Sequence, residues 1–168
     1  DGDIARVVRS IAEHESFWMP VVRGKKLKSP LELVVSSARA LGATTDGSLA
    51  LARVLERMGE PILLESVPTG HPEAEAEWVS TSGLLSRMSY ASMLAAGKLP
   101  GLSLDLARAL PDAGDGLVPR ANALLLAGAA RKQTLAAIDT ALAGLDDPDE
   151  RRTVLVALLL GSPEYQRQ

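Results

Sequence analysis

Apolar residues recur three and four positions apart in segment after segment of this chain, and strict apolar–polar alternation is nearly absent. That spacing stacks side chains on one face of an α-helix, so each segment can bury only a stripe. The stripes carry start and stop signals. In Ser29-Pro30-Leu31-Glu32, serine stands at the N-cap, proline at the first helical position and glutamate at the third. This is a capping box, with proline where its missing N–H is harmless. Leu31, Val34, Val35, Ala38 and Leu41 form the expected stripe, and Gly42 the expected stop. Asp147, Pro148 and Glu150 repeat the arrangement, and Asp3 is placed to cap a helix carrying Ile4, Val7, Val8 and Ile11.

The same reading predicts helices over 48–58, 82–96, 104–110, 119–126, 133–142 and 148–160. Leu51, Val54, Leu55 and Met58 are expected inward in the first of these, and Leu84, Leu85, Met88, Ala91 and Ala95 in the second. Between them, Pro61, Pro68 and Pro72 forbid a continuous helix and leave one long Pro-rich loop. The expected fold is all-α, an irregular bundle of about eight or nine short helices in a single domain over 1–168.

With aromatics at 3% of 168 residues, the core must be built from Leu, Val, Ala and Met. A net charge of −3 argues against a nucleic-acid footprint. The absence of cysteine removes disulfides, thiolate metal sites and cysteine nucleophiles. No apolar run reaches the roughly 18 residues of a membrane span, so no membrane partner is expected. The opening DGDIARVV lacks the shape of a signal peptide and reads as an interior cut.

Few residues invite a chemical role. Arg23, Lys25, Lys26 and Lys28 form the one dense cationic cluster, just ahead of a helix N-terminus, where backbone N–H groups also favour anions. A phosphate, an acidic partner or an anionic polymer fits there, and so does plain solvation. His71 precedes Glu73, Glu75 and Glu77, which alternate with alanine as on a solvated acidic surface; no metal and no cofactor is expected. His14 is expected at a helix C-terminus, where a cation meets the dipole favourably. Thr81 or Ser82 is read as an N-cap, since Ser80 to Arg87 has no nucleophile-elbow frame. Phe17, Trp18, Trp78 and Tyr90 are expected as core anchors. One internal echo stands out: a helix, then a polar turn that swings an aromatic onto the core, at 14–17 and again at 162–165.

DGDIARVVRSIAEHESFW, KLKSPLELVVSSARALG, LERMGEPI, EWVSTSGLLSRMSYASMLAAG and LVALLLGSPEYQRQ, in that order, resemble the C-terminal part of a bacterial family known as domain of unknown function eighteen hundred. The resemblance implies a longer protein of which this chain is the last third or so. It implies export by a twin-arginine signal to the periplasm or beyond, and a secreted, sulfatase-like partner encoded nearby. It implies no reaction. The matched positions are Lys28, Ser29, Pro30, Glu32 and Val34, then Trp78, Leu84, Leu85, Arg87, Ser162, Pro163, Glu164 and Tyr165. Arg87 alone lacks a structural explanation at this level and is read as a solvated helix position. Glu60 stands where a glutamine is usual, His71 where an aromatic is usual and Ser89 for a common asparagine.

Three functional readings follow. The first is a non-catalytic helical support or interaction domain docking the missing N-terminal region or a partner, its binding surface formed by the loop 59–78 and the segment 23–28. The second is part of an enzyme whose catalytic residues lie mainly upstream, with Arg87, Glu77 or Trp78 contributed here. The third is an anion- or polymer-binding module on the lysines. Together they single out Arg23, Lys25, Lys26, Lys28, Trp78 and Arg87.

Overall fold

A computed structural model gives the fold; it describes every residue except 1, 20, 23, 63, 65–67, 69, 72–77, 79 and 113. Among the described residues there are ten helices and one minimal sheet. The helices are α1 (Ile4–Glu13), α2 (Glu15–Trp18), α3 (Pro30–Ala40), α4 (Ala50–Arg57), α5 (Thr81–Ala95), α6 (Leu106–Ala109), α7 (Leu117–Leu126), α8 (Lys132–Leu142), α9 (Pro148–Gly161) and α10 (Pro163–Gln166). β1 (Thr44–Thr45) pairs antiparallel with β2 (Leu102–Ser103), Thr44 opposite Ser103. The expected all-α bundle is therefore what forms.

The centre is α9. Arg152, Leu155, Val156, Leu159 and Leu160 are buried along it at helical spacing, and α5, α6, α7, α8 and α10 pack around it. The core closes with Leu33 and Val34 of α3, Leu55 of α4, Leu94 of α5, Leu117 and Ala121 of α7, and Ile138 and Leu142 of α8. Gly161 lets α5 come close, because a Cβ there would meet the Met88 sulfur at 3.1 Å. The last residue of α9 thus serves helix packing.

Polar groups on α9 and α10 hold the ends of their neighbours. Arg152 Nε donates to the Leu110 carbonyl at the end of α6, at 2.9 Å. Arg151 Nη1 donates to the Leu142 and Leu145 carbonyls, where α8 ends. At the other end of α8, Glu164 Oε1 accepts from Arg131 N–H at 2.9 Å and from the Thr134 hydroxyl at 2.8 Å. Helix ends leave four orphan groups each, and here side chains from α9 and α10 take several of them.

The capping box at Ser29 forms as expected: Ser29 Oγ accepts from Glu32 N–H, and Glu32 Oε2 from Ser29 N–H at 2.7 Å. The stripe above it is rotated from the expected one. Pro30, Leu33, Val34 and Ser37 are buried, while Leu31 and Val35 are exposed. Ser37 turns inward because its hydroxyl meets the Tyr90 hydroxyl at 2.5 Å, and burial pushes that phenol well above its ordinary range. The α5 face is rotated likewise: Arg87, Tyr90, Ala91, Leu94 and Ala95 are buried, whereas Leu84 and Leu85 are exposed. Ser80, rather than Thr81 or Ser82, caps α5 by accepting from Gly83 N–H at 3.0 Å.

Orientation on α9 can be tested with two neighbours. Leu159 is fully buried and Leu158 is 37% exposed. Leu159→Ala should cost about 2–5 kcal/mol of unfolding free energy by denaturant titration, and Leu158→Ala well under half of that.

Candidate functional site

Sequence reading singled out a cationic segment and two distant residues, and the fold brings most of them to one seam. The strand-like segment 25–28 pairs with the C-terminal tail. Leu27 bridges Arg167 antiparallel; Lys28 N–H donates to Gln166 O at 2.8 Å and Gln168 N–H to Lys26 O at 2.9 Å. Arg167 Nη1 adds a bond to Lys25 O at 3.1 Å. Arg87 reaches this seam from α5. Its Nη1 donates to Gln166 Oε1 at 3.0 Å and its Nη2 to Lys28 O at 2.8 Å. Gln166 in turn donates from Nε2 to Leu160 O at 2.7 Å, on α9.

Arg87 is 3% exposed, so the expectation of a solvated helix position is overturned. Its place in the register of Tyr90, Ala91, Leu94 and Ala95, three, four, seven and eight residues on, was the signal that could have found it. Burial pushes its guanidinium down, and the charge of Glu60 pulls it back up. Glu60 is itself buried, its Oε2 accepting from Leu31 N–H in the first turn of α3 at 2.7 Å. The glutamine usual at that position could accept the same bond.

The lysines are partly committed. Lys26 Nζ pairs with Glu32 at 3.2 Å. Lys28 Nζ stands 3.8 Å above the Tyr165 ring, a favourable cation–π geometry. Burial lowers the Lys28 ammonium from its ordinary value, against an upward pull from Glu32. Lys25 is exposed, and Arg23 lies outside the described residues. Trp78 is buried, as expected of a core anchor. His71, in place of an aromatic, sets its ring 6.3 Å from that of Trp78. Between Trp78 and Arg87 opens a recess of about 230 Å³, also walled by Leu27, Leu84, Gly161, Pro163, Gln166 and Arg167. Of the residues named for the enzyme reading, Arg87 and Trp78 share this recess; Glu77, like Glu73 and Glu75, lies outside the described residues. Among the described residues no three His, Asp or Glu side chains gather as a metal would require.

A second surface lies at the N-terminal helices. Asp3 caps α1 as expected, accepting from Arg6 N–H at 3.1 Å. No residue of α1 or α2 is buried. Ile4, Val7, Val8 and Ile11 are 54–78% exposed, and Phe17, Trp18, Met19, Val21 and Val22 are 47–58% exposed. Phe17 and Trp18 are therefore not core anchors. Trp18 Nε1 instead donates to Ala12 O at 2.6 Å, folding α2 back on α1. The internal echo is only half real: Tyr165 swings onto the core at 2% exposed, whereas its N-terminal counterpart does not. His14 stands at the C-terminal end of α1, as expected. Its Nδ1 accepts from Ser16 N–H at 3.2 Å and so caps α2.

A family model described as a protein of unknown function, DUF1800, matches residues 1–167. The chain belongs to that family. No curated protein and no solved structure matches the chain. Membership of DUF1800 accounts for the order of the quoted segments, and the fold now gives Arg87 and Glu164, two of the matched positions, their structural work.

Two measurements check the seam and the Glu164 tie. Arg87→Leu should lower stability by about 2–4 kcal/mol, because it strands the buried Gln166 amide and the Lys28 carbonyl; Gln166→Ala should cost less in that background than in the parent, the remainder being its lost bond to the Leu160 carbonyl, as read in a double-mutant cycle. Burial alone would raise the Glu164 carboxyl, but bonds from Arg131 and Thr134 and the Arg131 charge bring it below its ordinary value. A depressed folded value contributes stability above the unfolded pKa, about 4.3, and loses it as pH falls through the folded one. Glu164→Gln should therefore be less stable than the parent at pH 7, with the difference vanishing in acid titrations.

Proposed function

We propose that this chain is a non-catalytic helical interaction domain, and that it docks through the apolar face of α1 and α2. The single observation that carries this is that face: a capped amphipathic helix with none of its residues buried, followed by exposed Phe17, Trp18 and Met19. Monomeric proteins rarely expose contiguous apolar patches beyond a few hundred Å² without a use for them. A groove lined by Val7, Ile11, His14, Phe17 and Val22 runs along the face, open and about 880 Å³ in extent.

The occupant we propose is the N-terminal region of a longer protein. The support is the family resemblance, which implies such a region along with export and a sulfatase-like neighbour. The core around α9 then supports that region rather than performing chemistry.

The test compares Val8→Asp with Ile11→Asp, combined, in this chain and in the full-length protein. In this chain the pair should leave the unfolding free energy within about 0.5 kcal/mol of the parent, as expected for surface changes. In the full-length protein it should release α1 to hydrogen exchange and to proteolysis. Equal protection of α1 with and without the substitutions in the full-length protein would overturn the proposal.

A further inference from the structure

Arg87, Arg151 and Arg152 each spend a guanidinium on backbone carbonyls of the bundle. Arg39 and Arg108 do not. Both are exposed, and both line one recess of about 310 Å³ between the end of α3, the β1–β2 pair and α6. No hydrogen bond or ion pair engages either guanidinium among the described residues. Neither is needed to end its helix. The Ala38 and Arg39 carbonyls at the end of α3 accept from Ala43 and Gly42 N–H, at 2.8 and 3.3 Å, and the Leu106 carbonyl of α6 accepts from Leu110 N–H at 2.8 Å. Thr44 and Ser103 stand directly opposite each other in the ladder, so their side chains share a face, and both line the same recess. Neither hydroxyl is bonded to another described residue. The one carboxylate of the wall, Asp105, has Oδ1 committed to Arg108 N–H at 3.0 Å, as the cap of α6.

We infer that this recess binds a small tetrahedral oxyanion, phosphate or sulfate, free or as a monoester. Four uncommitted donor groups from four elements meet there, and a guanidinium fork matches the spacing of phosphate oxygens. Arg39 and Arg108 take the charge, and the Thr44 and Ser103 hydroxyls donate to the remaining oxygens. The chain as a whole carries −3, whereas this recess sets two cations against one carboxylate, so the local field favours an anion. Like charges on one recess also repel each other, and an anion between them relieves that repulsion. A volume of about 310 Å³ lies at the lower end of the range of roughly 300–1,000 Å³ typical of ligand sites. It leaves room beside the anion for the stem of a small ester, against Leu124. The recess shares no lining residue with the groove of α1 and α2, so this reading and the docking reading fail independently.

The test titrates the intact chain with inorganic phosphate, inorganic sulfate and glycerol phosphate at constant ionic strength, following the backbone amides of Gly42, Thr44 and Ser103 by NMR. At least one of the three should give saturable shifts at these amides, and the tightest names the source. Arg39→Gln and Arg108→Gln, both at exposed positions, should leave the fold intact. Each should weaken binding by roughly tenfold or more, the scale of one charge-assisted hydrogen bond. Arg57→Gln, equally exposed on α4 but outside the recess, should leave it unchanged. Asp105→Asn keeps an oxygen to cap α6 and removes the one negative charge from the wall, so it should tighten binding. The inference is overturned by the absence of saturable shifts with all three anions, by binding that survives both Arg39→Gln and Arg108→Gln, or by an equal loss in Arg57→Gln, which would mark diffuse attraction to surface charge. Weaker binding in a folded Asp105→Asn chain would overturn it as well.

Discussion

The burial of the apolar face of α9 is what the rest of the structure depends on. Leu155, Val156, Leu159 and Leu160 are each fully excluded from water. Burying such a side chain is worth roughly 1.5–3 kcal/mol apiece. A helix with this apolar C-terminal half cannot leave it on a surface, and α5, α6, α7, α8 and α10 gather around it. Arg151 and Arg152, at its N-terminal half, and Glu164, just past its end, then fix where α6 and α8 begin and end. One helical hairpin, α9 with α10, thus supplies both the greasy centre and the polar fastenings.

The C-terminal tail extends that logic to the front of the bundle. Gln166 links α9 to Arg87, and the backbone of 166–168 pairs with 26–28. The lysine segment therefore lies along a seam instead of fanning into solvent. Lys26 is paired with Glu32, and Lys28 rests on Tyr165. What remains distinctive at this end is the buried guanidinium and its recess, not a dense field of mobile cations. At the opposite extreme, α1 and α2 contribute nothing to the buried core, and their apolar face is the part of the chain whose composition the bundle does not use.

Much of this was legible in the residues. The Ser29 capping box, the proline openings at Pro30 and Pro148 and the order of helices follow from local rules, because the partners of an N-cap lie within three residues. The rotation of each stripe was less legible. On α3 and α5 several apolar residues compete for the inward face, and periodicity alone does not rank Leu31 against Leu33, or Leu84 against Arg87. Ser37 and Arg87 win inward places through partners far along the chain, Tyr90 for the one and Gln166 for the other. The exposure of Phe17 and Trp18 was illegible for a related reason: an aromatic after a helix is a core anchor only if a core lies within reach.

The amino-acid sequence by itself determined the helical class, the capped starts at Ile4, Pro30 and Pro148, and the family, since each rests on contacts between near neighbours or on the order of short motifs. The tertiary structure alone decided which face of each helix is inside. It also decided that Arg87 is a buried tie and that α1 stays uncovered. These outcomes turn on contacts between residues dozens of positions apart, whose energies appear only once α9 has drawn its neighbours around it.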